Sequence, residues 1–328
     1  MSDAFTTTVV DAGGRYGLHP TWKPFSGALK YHMFEADLQE ARRLQDKYAH
    51  RRDEVTIVGS ALAATPGPLT VNIFANRAMS SAAVRNPISA LFLEERRPEV
   101  DIIETLELEA ITIDQYAQEH SLSVDFLKLD TEGTEYDILQ GGLDQLRRHV
   151  LAVRSEVSFD NIFEGKPQFG TIHELMLAHG FFLLNLDYNG RGDYQNSFVN
   201  ANGRYGILTA CDAVWIRGFP AVFDGAPTPA AAIARVLKVA AFCLLNDASD
   251  VAMDILLKAR RAANLDLAMA EGSRLHQFVD VGVQKLIYSL KWQPGQSLQY
   301  NYNIYREIFN KNAKTVNEFM ESLLLNPD

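Results

Sequence analysis

The sequence predicts a doubly wound α/β domain with a mostly parallel sheet, followed by an all-α region. Three observations support this prediction. Short β-branched or apolar runs alternate with helical patterns from residue 6 to about residue 217. The runs near residues 126 and 150 are rich in apolar residues, as expected for strands that are covered on both faces of a parallel sheet. After residue 229 only helical periodicity remains.

The first predicted elements are three strands separated by a glycine turn and a helix. The strands are expected at residues 6–10, 29–34 and 55–58. The helix is expected over residues 37–48, after the second strand. A Pro-Gly-Pro turn at residues 66–68, followed by one more strand at residues 69–74, then predicts a hairpin.

The next stretch is less regular. Residues 75–98 have no clean period and are expected to form a loop, which either covers a site or is an ordinary surface loop. Residues 100–113 are rich in β-branched side chains and predict one or two strands. Asp114 is then placed to cap a short helix that ends at Glu119.

The most informative stretch runs from residue 124 to residue 146. Its apolar start predicts a buried strand, Gly133 permits a tight turn, and apolar residues at helical spacing then predict one helix. Asp130, Glu132 and Glu135 therefore follow the end of a strand, which is the edge where open α/β sheets bind ligands. Either these acids serve a ligand, or they start the helix, where the helix dipole favours acids.

Three further strands complete the predicted sheet, and the last two can pair as a hairpin. They cover residues 150–157, 181–187 and 210–216, with a helix over residues 171–179 between the first two. A polar excursion at residues 188–194 lies between the hairpin strands. Its composition suits a sugar-binding loop, and it equally suits an ordinary exposed loop.

The pattern changes at residue 219. Residues 1–218 are expected to form the sheet domain, and the proline-rich residues 219–229 a linker. Residues 230–328, with a last predicted helix at residues 297–325, are expected to form a helical domain. That domain is a candidate for a homodimer interface or for a partner-binding surface.

Composition argues against several classes of function. The chain has 328 residues and a net charge of −10, with no basic run that contains aromatic residues, so nucleic acid is not an expected partner. No apolar run reaches the roughly 18 residues that a membrane span needs. Cys211 and Cys243 show no metal-ligand or redox spacing and are expected to be buried thiols. With no signal-like start, these features predict a soluble, cytoplasmic protein.

A candidate nucleotide loop follows the first strand. Asp11, Gly13 and Gly17 form a turn in which glycines let the backbone approach a ligand closely. Glu35 ends the second strand, where an acid can accept both hydroxyls of a ribose. The alternatives are a glycine turn with no ligand and, for Glu35, an acid that favours the start of the next helix. Ala61, after the third strand, either leaves room for a flat ring or serves close packing.

Four sequence motifs contain the candidate site residues. They are Asp11-x-Gly13-x-x-x-Gly17, Phe34-Glu35, Ala61-Leu62 and Lys128-x-Asp130-x-Glu132-Gly133-x-Glu135-x-x-x-Leu139-x-Gly141. In this order and spacing the chain resembles the FkbM family of S-adenosylmethionine-dependent methyltransferases, most of which methylate oxygen. The resemblance covers roughly residues 6–217, and its last motif is the most specific. It implies a Rossmann-like methyltransferase fold with a seven-stranded sheet.

The resemblance also implies how the cofactor is bound. Asp11, Gly13 and Gly17 would line the methionine end of S-adenosylmethionine. Glu35 would hold the ribose, and Ala61 would lie near the adenine. The acceptor of the methyl group would be a small molecule or a carbohydrate.

The acidic turn is implied to border the cleft where methyl transfer occurs. Asp130 and Glu132 would lie at that cleft, with Lys128 and Glu135 orienting the turn. A carboxylate there could take the proton of an alcohol as its oxygen is alkylated. The competing interpretation is that Asp130 holds backbone amides and Glu132 only favours the helix start. No His joins these acids and Glu156 at a ligand spacing, so no metal site is predicted.

The chain departs from the family pattern in the cofactor loop. Family members usually carry Asn where Arg15 stands, and prolines at positions 20 and 24 interrupt the helix expected after the loop. The leading hypothesis is O-methyl transfer to a hydroxyl of a sugar, glycan or secondary metabolite. The alternative is a degenerate methyltransferase fold that serves as a non-catalytic binding or interaction protein. A nicotinamide enzyme would leave the Lys-x-Asp-x-Glu-Gly motif without a role.

Overall fold

The computed structural model describes residues 5–89, 98–187, 208–219, 221–223, 226–263 and 270–292. The chain divides into two compact units. The sheet unit contains residues 7–23 and 29–218, and the helical unit contains residues 1–6, 24–28 and 219–328. The predicted excursion at residues 188–194 and the predicted last helix at residues 297–325 lie outside the described residues.

The sheet unit is built on a seven-stranded sheet. The strands of this unit are β1 (Thr7–Ala12), β2 (Leu29–Phe34), β3 (Val55–Val58), β4 (Gly67–Phe74), β5 (Ile102–Ala110), β6 (Phe126–Leu129), β7 (Ala152–Ser158), β8 (Phe181–Asp187) and β9 (Ala210–Arg217). Seven of them form one sheet in the order β3-β2-β1-β6-β7-β9-β8, and β4 pairs with β5 separately. Neighbours in the large sheet are parallel, except that β9 runs antiparallel to β7 and β8. The predicted Rossmann-like α/β fold is confirmed.

The order in which strands are added to the sheet changes direction between β1 and β6. From β1 the chain adds β2 and β3 on one side, and it then returns to place β6 on the other side. Ala12, at the end of β1, is paired with Phe34 of β2 and with Leu129 of β6. Open α/β sheets bind ligands outside the carboxyl ends of the strands at such a reversal. The glycine turn after β1 and the acidic turn after β6 therefore share one edge.

Five α-helices accompany the sheet in the part of this unit that the structure describes. They are α1 (Leu38–Lys47), α2 (Ile113–Glu119), α3 (Glu135–Gln140), α4 (Leu143–Arg148) and α5 (Phe169–Ala178). Asp37 caps α1, because its side chain accepts hydrogen bonds from the N–H groups of Gln39 and Glu40. Between β1 and β2 the chain forms a 3₁₀ helix, Pro20–Phe25, where Pro24 has no N–H with which to continue an α-helix.

The prediction of one helix after the acidic turn is wrong. The structure has two short helices, α3 and α4, separated by Gly141 and Gly142. An ideal Cβ on Gly141 would lie 2.1 Å from the carbonyl oxygen of Ala63, so the chain passes close to another backbone at this point. The break arises from this long-range contact, which the local periodicity does not report.

The prediction that Asp114 caps α2 is also wrong. Thr112 caps that helix by accepting a hydrogen bond from the N–H of Gln115. The carboxylate of Asp114 instead accepts from the N–H groups of Asp144 and Gln145, at 2.9 Å each. Asp114 therefore caps α4, a helix 30 residues away in sequence.

The two faces of the sheet differ in character. Successive residues of a strand point to opposite faces. On one face a continuous apolar cluster includes Val10, Leu127 and Val153. The residues that follow these on the same strands are Asp11, Lys128 and Arg154. The second face therefore carries charged side chains towards the edge where the two turns lie.

The helical unit contains three helices within the described residues. They are α6 (Pro229–Leu245), α7 (Ser249–Ala263) and α8 (Arg274–Trp292). Thr228 caps α6 by accepting from the N–H of Ala231, and α6 is buried along most of its length. It packs against α7 and α8. No helix in the described ranges combines the length and the apolar character needed to cross a membrane.

Candidate active site

A cavity opens beside the carboxyl ends of β1, β2 and β6. It has about 760 Å³ of empty volume, including space that is open to solvent. Small-molecule sites typically measure roughly 300–1,000 Å³. The predicted site residues that line it are Gly13, Glu35, Ala61, Asp130 and Glu132. Another wall comes from β4 and the loop after it, with Leu69, Val71, Ile73, Arg77 and Ser81.

The glycines of the turn after β1 are required by the protein itself. Gly13 has a φ of +86°, and an ideal Cβ on it would lie 1.7 Å from the carbonyl oxygen of Asp130. Gly17 also has a φ of +86°, and a Cβ there would lie 2.5 Å from the hydroxyl of Tyr48. That hydroxyl accepts a hydrogen bond from the N–H of Leu18 at 2.8 Å. Gly17 is not among the residues that line the cavity.

Asp11 lies beneath the cavity and does not line it. It is buried and accepts a hydrogen bond from the hydroxyl of Tyr31. Its other carboxylate oxygen lies 3.3 Å from the ammonium of Lys128. The same ammonium contacts Asp130 at 3.1 Å and the carbonyl oxygen of Gly13 at 3.3 Å. Burial opposes the charge of Lys128, but the carboxylates of Asp11 and Asp130 outweigh it and raise the pKa of Lys128. One cation therefore joins β1, the glycine turn and the acidic turn.

Glu35 lines the cavity from the end of β2. Its side chain accepts a hydrogen bond from the N–H of Asp37 at 2.9 Å. The residue is 7% exposed, and burial raises the pKa of its carboxyl from 4.5 to about 7. An ionised carboxylate at this position has the acceptor atoms that a ribose needs.

Asp37 joins the two sides of the cavity. One of its carboxylate oxygens accepts from the guanidinium of Arg15, at 3.1 Å, and from that of Arg77, at 2.8 Å. Burial alone would raise the pKa of Asp37, but the hydrogen bonds from Arg77 and Arg15 lower it to about 2. Arg15, the residue that departs from the family pattern, is therefore paired with an acid. We call these three residues the Asp37 clasp.

Glu135 stabilises the acidic turn by accepting hydrogen bonds from its backbone. This buried carboxylate accepts from the N–H of Thr131 at 2.7 Å and from the N–H of Gly133 at 3.1 Å. Asp130 and Glu132 line the cavity, and their side chains are 43% and 21% exposed. Glu132 has a φ of +59°, a conformation that is costly for a residue with a side chain. Such a conformation persists only where surrounding contacts hold it.

Comparison with known proteins agrees with this geometry. A family model described as Methyltransferase FkbM domain matches residues 17–183, about half of the chain. The chain belongs to the FkbM methyltransferase family. No curated protein matches it. The matched range contains Glu35, Ala61, Asp130 and Glu132, whereas Asp11 and Gly13 precede it. The FkbM match thus covers most of the cavity lining, including the acidic turn.

Glu132 of this FkbM domain is bound by two residues of the loop after β4. Ser81 donates its hydroxyl hydrogen to the carbonyl oxygen of Glu132 at 2.5 Å. Arg85 forms an ion pair with the Glu132 carboxylate at 3.0 Å. Burial raises the pKa of Glu132 to about 7, and the negative charges of Asp130 and Glu135 add to this against the positive charge of Arg85. A carboxyl with this pKa is suited to accept a proton near neutral pH.

A third carboxylate, Glu156 of β7, completes an acidic group with Asp130 and Glu132. Their carboxylate oxygens lie within 4.8 Å of one another. Burial and the charges of Glu132 and Asp130 raise the pKa of Glu156. In that group Asp130 is already paired with Lys128, and Glu132 with Arg85. Two of the three charges are thus balanced by protein cations, and we assign no metal site.

Sequence reasoning missed three arrangements at this site. The Asp37 clasp joins residues that are 22 and 40 positions apart in the chain. The pairing of Arg85 with Glu132 spans 47 positions. The wall formed by β4 belongs to a separate pair with β5, whereas the turn at residues 66–68 suggested pairing with the strand before it. In each case the sequence contains the residues but no periodic signal that pairs them.

Proposed function

We propose that the protein is an S-adenosylmethionine-dependent O-methyltransferase that acts on a hydroxyl of a sugar, glycan or secondary metabolite. The observation that carries the proposal is the shared cavity. Glu35 and Ala61 line it at the ends of β2 and β3, and Asp130 and Glu132 line it after β6. This combination offers a polar acceptor for a ribose, apolar surface for a purine and carboxylates for a reacting hydroxyl.

The cavity residues fit the proposed cofactor. Glu35 would accept the ribose hydroxyls, and Ala61, with Leu69 and Val71 of the facing wall, would contact the adenine. Gly13 would lie beside the methionine end. When bound, S-adenosylmethionine supplies an electrophilic methyl group on a sulfonium. Asp11 and Gly17 would act through the shape of the loop, because neither lines the cavity.

The acidic turn would provide the acid–base chemistry. As its oxygen takes up the methyl group, the acceptor hydroxyl would give its proton to a carboxylate of this turn. Glu132 is the better proton acceptor, since burial raises its pKa to about 7. Asp130, which is more exposed and paired with Lys128, would orient the hydroxyl. The walls of the cavity would limit water at the reacting atoms.

Calorimetric titration with S-adenosylhomocysteine tests the proposal. We expect binding to the full-length protein, weaker binding to Glu35→Gln, and little binding to Ala61→Phe, in which a ring fills the cavity. Glu119→Gln, on the exposed face of α2, is the matched control and should bind normally. The absence of binding to the unmodified protein at millimolar ligand would favour the alternative, a degenerate methyltransferase fold that serves as a non-catalytic interaction protein.

A cytoplasmic location is part of the proposal. It is supported by two cysteines that are free and buried, Cys211 and Cys243. Proteins of reducing compartments keep their cysteines as thiols.

We also propose the helical unit as a homodimer interface, and light scattering of the full-length protein would test this by giving either the monomer or the dimer mass.

A further inference from the structure

Arg85 is an enclosed cation that reaches the acidic turn from the loop after β4. Its side chain is 8% exposed. One guanidinium nitrogen contacts the carboxylate of Glu132 at 3.0 Å and also donates to the carbonyl oxygen of Met79. Arg85 does not line the cavity. It therefore acts on the cavity only through the residues that it contacts.

Two aromatic rings fix the orientation of the Arg85 guanidinium. The ring centres of Phe74 and Phe163 lie 5.1 Å and 5.0 Å from its central carbon. Cation–π contacts of this length are favourable and constrain the plane of the guanidinium. Phe163 also covers the turn, since an ideal Cβ on Gly133 would lie 2.5 Å from its ring. The same ring thus fixes both Arg85 and the backbone next to Glu132.

The segment that carries Arg85 is held by hydrogen bonds both before and after Arg85 in the chain. Ser81 binds the carbonyl oxygen of Glu132, as described above. Directly before Arg85, the carbonyl oxygen of Val84 accepts from the N–H of Glu164 at 2.8 Å, and directly after it, the N–H of Asn86 donates to the carbonyl oxygen of Ile162 at 2.8 Å. Arg85 itself forms an isolated bridge with Phe163. Backbone contacts therefore hold the segment from which the guanidinium extends.

The charges that face Glu132 explain why it needs a cation. Asp130 and Glu135 lie on the same turn, and Glu156 faces it from β7. Lys128 contacts Asp130 and Asp11 rather than Glu132. Arg85, from a different loop, provides a cation that contacts Glu132. Without that contact, an ionised Glu132 would face three acids.

We propose that Arg85 is a positioning residue for methyl transfer, which holds the Glu132 carboxylate towards the cavity and keeps it able to ionise among the neighbouring acids. The proposal rests on the proposed function in one respect, the role of Glu132 as proton acceptor. The contact itself, and its effect on Glu132, can be tested without a cofactor or an acceptor.

The test is a pH titration of the Glu132 carboxyl by NMR of protein labelled with ¹³C at glutamate carboxyls, with Glu132→Gln used for assignment. We expect Arg85→Met to raise the pKa of Glu132 by about 1 or more, because a contacting opposite charge typically lowers a carboxyl pKa by roughly 1–3. Arg85→Lys keeps the charge but not the planar contacts and should restore part of the difference. Arg148→Met, which removes an exposed cation from α4, should leave the pKa unchanged.

An unchanged pKa of Glu132 in Arg85→Met would overturn the inference. If Arg85→Met does not fold, the double variant Arg85→Met, Glu132→Gln is expected to fold, because the unbalanced acid is gone; failure of that double variant would show that Arg85 is purely structural. Titration with S-adenosylhomocysteine separates the two proposals. Arg85→Met should bind it within about threefold of the unmodified protein, whereas failure of the unmodified protein to bind would overturn the proposed function and leave the Glu132 result standing.

Discussion

The carbonyl oxygen of Asp130 lies where a side chain on Gly13 would have to be. An ideal Cβ on Gly13 is 1.7 Å from that oxygen, and the φ of Gly13 is +86°. The glycine turn and the acidic turn are thus in backbone contact. A substitution at position 13 disturbs both turns, whether or not a ligand is bound.

Gly13→Ala is expected to lower the free energy of unfolding by more than about 2 kcal/mol, because it adds a steric clash to an unfavourable φ. Urea denaturation followed by circular dichroism measures this. Gly165→Ala is the matched control, since Gly165 has a φ of +67° but a Cβ there would meet nothing within 4 Å. It should cost only about 1 kcal/mol. Equal losses in the two variants would contradict the close contact.

The affinity for S-adenosylhomocysteine is expected to depend on pH through Glu35. Because burial raises the pKa of Glu35 to about 7, the carboxylate that would accept the ribose hydroxyls is largely protonated at pH 5.5. The affinity should therefore rise with pH and level off above about pH 8. Calorimetry between pH 5.5 and pH 8.5 measures the dependence. Glu35→Gln should bind weakly and with little pH dependence, and a rising affinity in that variant would assign the effect to another group.

Glu35 also has a predicted effect on stability, with the opposite sign. Its folded-state pKa of about 7 lies above the ordinary value of 4.5, so the folded protein binds more protons between these values. The free energy of unfolding should therefore fall as pH rises through this window, by an amount on the order of 3 kcal/mol. Urea denaturation at a series of pH values should show this loss relative to Glu35→Gln. A constant difference between the two proteins would exclude a raised pKa.

Substitutions in the acidic turn should separate catalysis from cofactor binding. Glu132→Gln is expected to lower kcat by about 10²–10⁴-fold, the usual contribution of a general base. Asp130→Asn should likewise abolish turnover while keeping the fold and the cofactor affinity broadly intact. Transfer of labelled methyl groups to a panel of hydroxylated acceptors measures turnover, and calorimetry measures binding. Full activity in either variant would withdraw the catalytic role of that residue.

Chelation is expected to leave methyl transfer unchanged. Of the three neighbouring carboxylates, Asp130 is paired with Lys128 and Glu132 with Arg85, which reduces the negative charge available to a divalent ion. Activity before and after treatment with EDTA, and after addition of magnesium or manganese, measures this. Loss on chelation with recovery on adding metal would instead assign an ion to Asp130, Glu132 and Glu156.

Much of the fold follows from local patterns in the sequence. The strands that carry the site are short apolar runs, and their alternation with helices predicts a doubly wound sheet, which the order of β3, β2, β1 and β6 confirms. The break between α3 and α4 was not predictable in this way. It depends on the approach of Gly141 to Ala63, two residues that no local period relates.

The lining of the cavity was predictable to a similar degree. Glu35, Asp130 and Glu132 could be named because each follows the end of a parallel strand, and such ends meet at one edge. Arg77 and Arg85 could not be named, because they act through single contacts with acids on other elements. The interpretation of Arg15 also required the structure, since its charge depends for balance on Asp37.

The position of Lys128 limits how this chain could vary. Its ammonium is the shared partner of the Asp11 and Asp130 carboxylates, the first of which is buried. A neutral residue at position 128 would leave a buried negative charge unpaired, at a typical cost of about 3–5 kcal/mol. Such a change would be tolerated only together with a neutral residue at position 11. Positions 11 and 128 are therefore expected to change together or not at all among related sequences.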